Sequence, residues 1–193
     1  MNGIRRYIAE VQALVGAMPE SDICRVIDAL LAAWRGGRRI YVLGNGGSAA
    51  TASHFACDLG KGTLLPGKAP FKVVPLTDNV PLITAWANDV SYEDIFANQL
   101  AGVVEAGDLV IGISTSGNSP NVLKAMPVAR VAGARTIGFI GFSGGRLKEL
   151  VDMAVIAPGN NTAQCEDAHH VLQHLICAVL REELAAEGTT KQG

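Results

Sequence analysis

The chain has 193 residues, 49% hydrophobic, 18% charged and 5% aromatic, with 16 basic against 18 acidic side chains and a net charge of −2; its mean hydropathy is +0.26. So balanced a charge disfavours a general nucleic-acid or anionic-membrane surface, and so few aromatics disfavour stacking of single strands. The length suits one domain that builds its core without disulfide staples.

The first residues, MNGIRRYIAEVQ, scatter their charges instead of placing a basic start before an apolar run, so no signal peptide is expected and the cytoplasm is the default location. Apolar groups at Ile4, Ile8, Val11, Val15 and Met18, then at Ile23, Val26, Ile27, Leu30, Leu31 and Trp34, have helical spacing. Pro19 separates the two sets and Ser21 stands where it would cap the second, so residues 1–36 are expected to form a helical hairpin.

After Gly36-Gly37 short β-branched runs alternate with helical ones: Ile40 to Leu43, Phe71 to Leu76, Leu109 to Ile113, Thr136 to Ile140 and Met153 to Ile156. They lack polar alternation, as strands buried on both faces do. Five such strands with intervening helices predict a doubly wound α/β domain around a parallel sheet over residues 37–186, followed by a frayed tail, 187–193. The longest charge-free stretches, Ile40 to Cys57 and Leu109 to Leu123, are too interrupted by Asn, Gly, Ser, Thr and His to span a bilayer. Cys24, Cys57, Cys165 and Cys177 show no CxxC spacing and read as reduced, mostly buried small hydrophobes.

In this architecture ligands sit beyond the carboxyl ends of the strands. The loop Gly44-Asn45-Gly46-Gly47-Ser48 is neither a dinucleotide fingerprint nor a P-loop; it offers flexible backbone with Asn45 and Ser48 as polar arms, or a tight structural turn. The loop Ser114-Thr115-Ser116-Gly117-Asn118-Ser119-Pro120 ends in an N-cap serine with proline at the first helical position. Its hydroxyls Ser114, Thr115, Ser116 and Ser119 surround a helix N-terminus that can hold an anion without lysine; a plain capped turn is the alternative. Gly141-Phe142-Ser143-Gly144-Gly145 is a third loop of the same kind.

His54 and Asp58, four residues apart, share a helix face near the ligand end of the sheet, where a plain surface Asp–His pair is the alternative to a functional one. On the C-terminal helix Ala168, Val171, Leu172, Leu175, Ile176 and Val179 form an apolar stripe, with Glu166, His170, His174 and Cys177 on the opposite side. Histidine and carboxylate are what metal binding and proton transfer need near neutral pH. Glu166 and His174 stand about 12 Å apart on an ideal helix, a long span for one ion, and spacing does not choose between His170 and His174.

The segments GNGGSAATASHFACDL, ISTSGNSPNVL and QCEDAHHVLQHL together resemble the sugar-isomerase (SIS) domain family, and within it the phosphoheptose isomerases. The resemblance covers almost the whole chain and implies a flavodoxin-like sheet, a homotetramer and one zinc ion per active site. It implies conversion of sedoheptulose 7-phosphate to D-glycero-D-manno-heptose 7-phosphate, a precursor of lipopolysaccharide or capsule. By position, Ser114, Thr115, Ser116 and Ser119 become the phosphate cradle, and Asn45, Gly46, Gly47, Ser48, Asn88, Asp89, Asp58 and Glu166 substrate contacts. His54, Asp58, Glu166 and His174 become the metal cluster, with Asp58 and His174 catalytic. Two departures stand out: the family commonly has Glu at Asp58 and Gln at Glu166. The alternatives that the resemblance leaves are a non-catalytic SIS module that senses a sugar phosphate or associates with a replication initiator, and an isomerase that acts on a different phosphosugar.

Overall fold

A computed structural model describes residues 2–189. Strands β1 (Arg39–Gly44), β2 (Lys72–Pro75), β3 (Leu109–Ser114), β4 (Arg135–Gly141) and β5 (Met153–Ala157) fall where the apolar runs predict them. They form one sheet in the order β2-β1-β3-β4-β5, every neighbouring pair parallel. The order reverses between β1 and β3, and the crevice beyond their carboxyl ends is the natural ligand position of a doubly wound sheet.

Side chains alternate between two cores, as the strand period of two requires. Ile40 and Val42 of β1 enter one, Tyr41 and Leu43 the other. The first core is covered by α1 (Asn2–Gly16), α2 (Glu20–Arg35), α3 (Gly47–Cys57) and α8 (Thr162–Thr189). The second lies under α4 (Val80–Asp89), α5 (Ile95–Leu100), α6 (Pro120–Val131) and α7 (Leu147–Leu150). Burial on both faces holds for β1, β3 and β4, whereas β2, at an edge, alternates between exposed and half-buried residues. Below the sheet the buried Asp108 carboxylate accepts from the Arg39 and Glu105 backbone N–H groups, both at 2.9 Å, and so ties the start of β1 to the turn before β3.

Several helical details differ from expectation. Ser21 lies inside α2 rather than capping it; extended Pro19 is the N-cap, and its carbonyl accepts from the Asp22 and Ile23 N–H groups. The expected α1 stripe faces outward only at its start, with Ile4 69% and Ile8 51% exposed, while Val15 packs partly against the core and Met18, beyond the helix, is buried; Leu14, outside the stripe, is the side chain that α1 buries. On α8 the buried line is Cys165, Ala168, Leu172, Ile176, Cys177 and Leu180, joined by His169 and Gln173, while Val171 and Leu175 are exposed. Cys177 thus belongs to the core side, not to the side of Glu166, His170 and His174 where the spacing placed it. The helix carries apolar residues around much of its girth, and contact with the sheet, which periodicity does not register, decides which of them are covered.

The same helix continues to Thr189, so the first residues of the expected tail are helical and 190–193 lie outside the described residues. All four cysteines are free; Cys165 and Cys177 are buried, but Cys24 and Cys57 are exposed. No helix among the described residues is long and apolar enough to cross a membrane.

Candidate active site

Two loops flank the β1/β3 crevice. Gly44 delivers the chain to Asn45 and Gly46, and α3 begins at Gly47 with the Asn45 and Gly46 carbonyls accepting from the Ala49 N–H. Ser48 is buried, its backbone against Gly44, which anchors the helix start to the end of β1. Across the crevice, Ser119 holds the N-cap position of α6 and Pro120 the first helical one, as expected, but the Ser119 hydroxyl makes no capping bond. It lies 3.1 Å from the Ser114 hydroxyl instead. Ser114 Oγ also accepts from the Gly117 N–H, and Ser116 Oγ from the Asn118 N–H, so the hydroxyls brace a preformed turn.

This turn is clamped from behind by the loop after β4. The Gly117 carbonyl accepts from the Leu147 N–H at 2.9 Å, and Asn118 Oδ1 accepts from the Arg146 N–H at 3.1 Å. Gly117 has φ +65°, and a β-carbon on it would stand 2.6 Å from the Gly144 carbonyl carbon. Only glycine allows so close an approach of two backbones.

The second half of the site is built by α3 and α8. At Asp58 α3 passes into a single π-helical turn, Asp58–Gly62, a distortion common at functional sites. Asp58 Oδ2 lies 3.4 Å from His54 Nε2 and 3.5 Å from His174 Nε2. The two imidazoles meet edge to face with ring centres 4.9 Å apart. Among the described residues His54, Asp58 and His174 form the group able to hold a metal, with donor atoms within 4.8 Å of one another. Ligands of a tetrahedral zinc at 2.0–2.2 Å stand about 3.4 Å apart, so this donor set and spacing fit that ion.

His170 is already engaged. Thr51 directs its hydroxyl to the Gly47 carbonyl at 3.2 Å and lies 3.3 Å from His170 Nε2, while Gln173 Nε2 lies 3.4 Å from His170 Nδ1. Thr51 and Gln173 thus flank the two ring nitrogens of His170, which leaves His174 as the histidine facing Asp58. Glu166 does not join the cluster. Its carboxylate lies against the Cα of Gly47, where a β-carbon would overlap Cδ and both oxygens. The carboxylate therefore sits at the N-terminal turn of α3, an electrostatically favourable place for a negative charge.

Asn88 and Asp89 close α4, exposed, with Asn88 Nδ2 donating to Asp89 Oδ1 at 2.8 Å. Sequence reasoning missed Asn121 and Tyr92, both of which reach Asn45. It also missed His169, whose ring nitrogens have no well-formed hydrogen bond. Burial pushes His169 down to about 4, with the Ile140 backbone offsetting part of the shift, so it is neutral near pH 7. Burial, and secondarily the Asp58 charge, push the Cys177 thiol up to about 12, which keeps it protonated.

The sequence profile of the SIS domain matches residues 6–141. A phosphoheptose isomerase of Geobacter sp. (strain M21) is 36% identical over 188 residues, 96% of this chain and 95% of that protein. The structures of phosphoheptose isomerases from Neisseria gonorrhoeae and Francisella tularensis are similar with TM-scores of 0.85 and 0.86 and identities of 28% and 29%. Each likeness covers 94% of this chain, and 96% and 97% of theirs respectively. Sequence and fold agree over nearly the whole length, N-terminal helices included, and the protein therefore belongs to the SIS-domain family, within the phosphoheptose isomerases.

Proposed function

We propose that this protein is an aldose–ketose isomerase that converts sedoheptulose 7-phosphate to D-glycero-D-manno-heptose 7-phosphate through an enediol. The observation that carries the reading is the meeting of His54, Asp58 and His174 from two distant segments in a chain whose relatives are named for this reaction.

The Ser114–Ser119 turn and the α6 N-terminus bind the phosphate, with Thr115 and the exposed Ser116 on the crevice side. A remote phosphate gives orientation through a group that does not react. Asp58 carries the proton between C1 and C2: its carboxylate removes hydrogen from C1 of the ketose and returns it to C2. His174 gives a proton to the carbonyl oxygen on C2 and accepts one from the hydroxyl on C1, so the two exchanges balance. Glu166 and Gly47 border the sugar next to the first loop, with Asn45 as a polar contact. His54, Asp58 and His174 would hold a zinc ion through one atom each, leaving the second Asp58 oxygen and the second His174 nitrogen for the proton transfers; when bound, the ion supplies Lewis-acid polarisation of the sugar's oxygens.

A homo-oligomer, taken as a tetramer, accounts for the apolar side chains that the single chain leaves exposed: Ile4 and Ile8 on α1, Val171 and Leu175 on α8. A groove of about 400 Å³ continues this band between Val15, Ile23, Ile27, Leu175 and Val179. A cytoplasmic setting fits the free thiols and a phosphorylated substrate. The test is direct: incubate the pure protein with sedoheptulose 7-phosphate and follow the aldose by NMR. Turnover supports the isomerase; tight binding without turnover gives the sugar-phosphate sensor instead.

A further inference from the structure

Asn121 is 1% exposed and stands in the first turn of α6, facing the first loop across the crevice. Its Oδ1 accepts from the Val122 backbone N–H at 2.9 Å, and a backbone donor cannot reverse, so the orientation of the Asn121 amide is fixed. The same Oδ1 accepts from Asn45 Nδ2 at 2.8 Å, and Asn121 Nδ2 donates back to Asn45 Oδ1 at 2.9 Å. That reciprocal pair fixes Asn45 in turn. The Tyr92 hydroxyl, 3.0 Å from Asn45 Oδ1, is therefore the donor in its contact.

Asn45 has two acceptor lone pairs and two N–H groups. Asn121 and Tyr92 take both lone pairs, and Asn121 takes one N–H. One N–H remains for a ligand. A free amide could turn over and offer its oxygen instead; this one cannot without breaking three hydrogen bonds. We propose that Asn121 and Tyr92 are positioning residues that hold Asn45 so that it offers the sugar phosphate one donor and no acceptor, and thereby selects a substrate oxygen able to accept at that point. This rests on the reading of Asn45 as a substrate contact.

The experiment is a double-mutant cycle with Asn45→Ala, Asn121→Asp and the two combined, alongside Tyr92→Phe, reading Kd for sedoheptulose 7-phosphate by calorimetry together with KM and kcat. Asn121→Asp preserves shape and the acceptor facing Val122, but places an oxygen against the Asn45 oxygen. The expected result is a Kd and KM raised about tenfold, kcat changed less than about threefold, and no further loss from Asn121→Asp once Asn45 is alanine. Tyr92→Phe, which removes only a hydroxyl at an exposed position, raises Kd about threefold and keeps the proposal testable should Asn121→Asp fold poorly.

Wild-type affinity in both Asn121→Asp and Tyr92→Phe, or losses that multiply independently of Asn45, would overturn the proposal. If Asn45→Ala binds as the wild type does, the positioning role fails while observed turnover leaves the isomerase reading intact. If the wild type binds without turnover, the isomerase reading fails and the Kd cycle still decides the positioning role.

Discussion

The carboxylate of Glu166 rests against the Cα of Gly47, joining the start of α8 to the start of α3 so closely that no β-carbon fits between them. A Gly47→Ala substitution must move Glu166, but what moves is the far end of a flexible side chain. We expect a stability loss of about 1 kcal/mol or less, and a loss of substrate affinity because both residues border the proposed sugar site. Melting temperatures of Gly47→Ala alone and in a Glu166→Ala background check the origin: the penalty disappears when the carboxylate is removed, and persists if it comes from backbone strain.

Gly117 poses the opposite case, because the obstacle is the backbone of Gly144 and φ is +65°. Gly117→Ala should cost on the order of 2–4 kcal/mol in urea unfolding and disturb the turn proposed to hold the phosphate. A variant that melts as the wild type does would mean that the two loops are not clamped together.

His169 gives stability a pH dependence. Its folded pKa, about 4, lies below the reference 6.5, so the unfolded chain binds the extra proton between those values. The contribution is complete above pH 6.5 and is lost as pH falls toward 4, by about 2 kcal/mol at pH 5 and roughly 3 kcal/mol in full. The difference in unfolding free energy between pH 7.5 and pH 5 should shrink by that amount in His169→Gln. An unchanged difference would remove His169 as its cause.

Metal content separates the histidines. His54→Ala and His174→Ala should lower bound zinc at least tenfold by elemental analysis, whereas His170→Ala, losing a ring already engaged by Thr51 and Gln173, should retain it. Loss of zinc from His170→Ala with retention in His174→Ala would reverse the assignment.

The sheet was legible because β1, β3 and β4 are buried on both sides and so read as unbroken apolar runs, and the position of the loops proposed to hold the ligand follows from the strand ends. The pairing of His54 with Asp58 followed from helix spacing, and the family resemblance chose His174. The orientation of α8 did not follow, because Val171 and Leu175 are as apolar as Leu172 and Ile176 yet face away from the sheet. Glu166 shares a helix with His174, but the docking of α8 on α3, not spacing along α8, brings it to Gly47. Asn121 and Tyr92 carry no local signal: an asparagine after Ser-Pro reads as an ordinary helix start, and their role exists only once two loops meet across the crevice.

The proposed roles of Asp58 and His174 in the isomerisation stand or fall on kcat for sedoheptulose 7-phosphate in the wild type, Asp58→Asn and His174→Ala. The wild type should turn over, and each folded variant should lose on the order of 10²–10⁴-fold in kcat. Variants that retain most of the wild-type rate, with binding and melting unchanged, would contradict these roles.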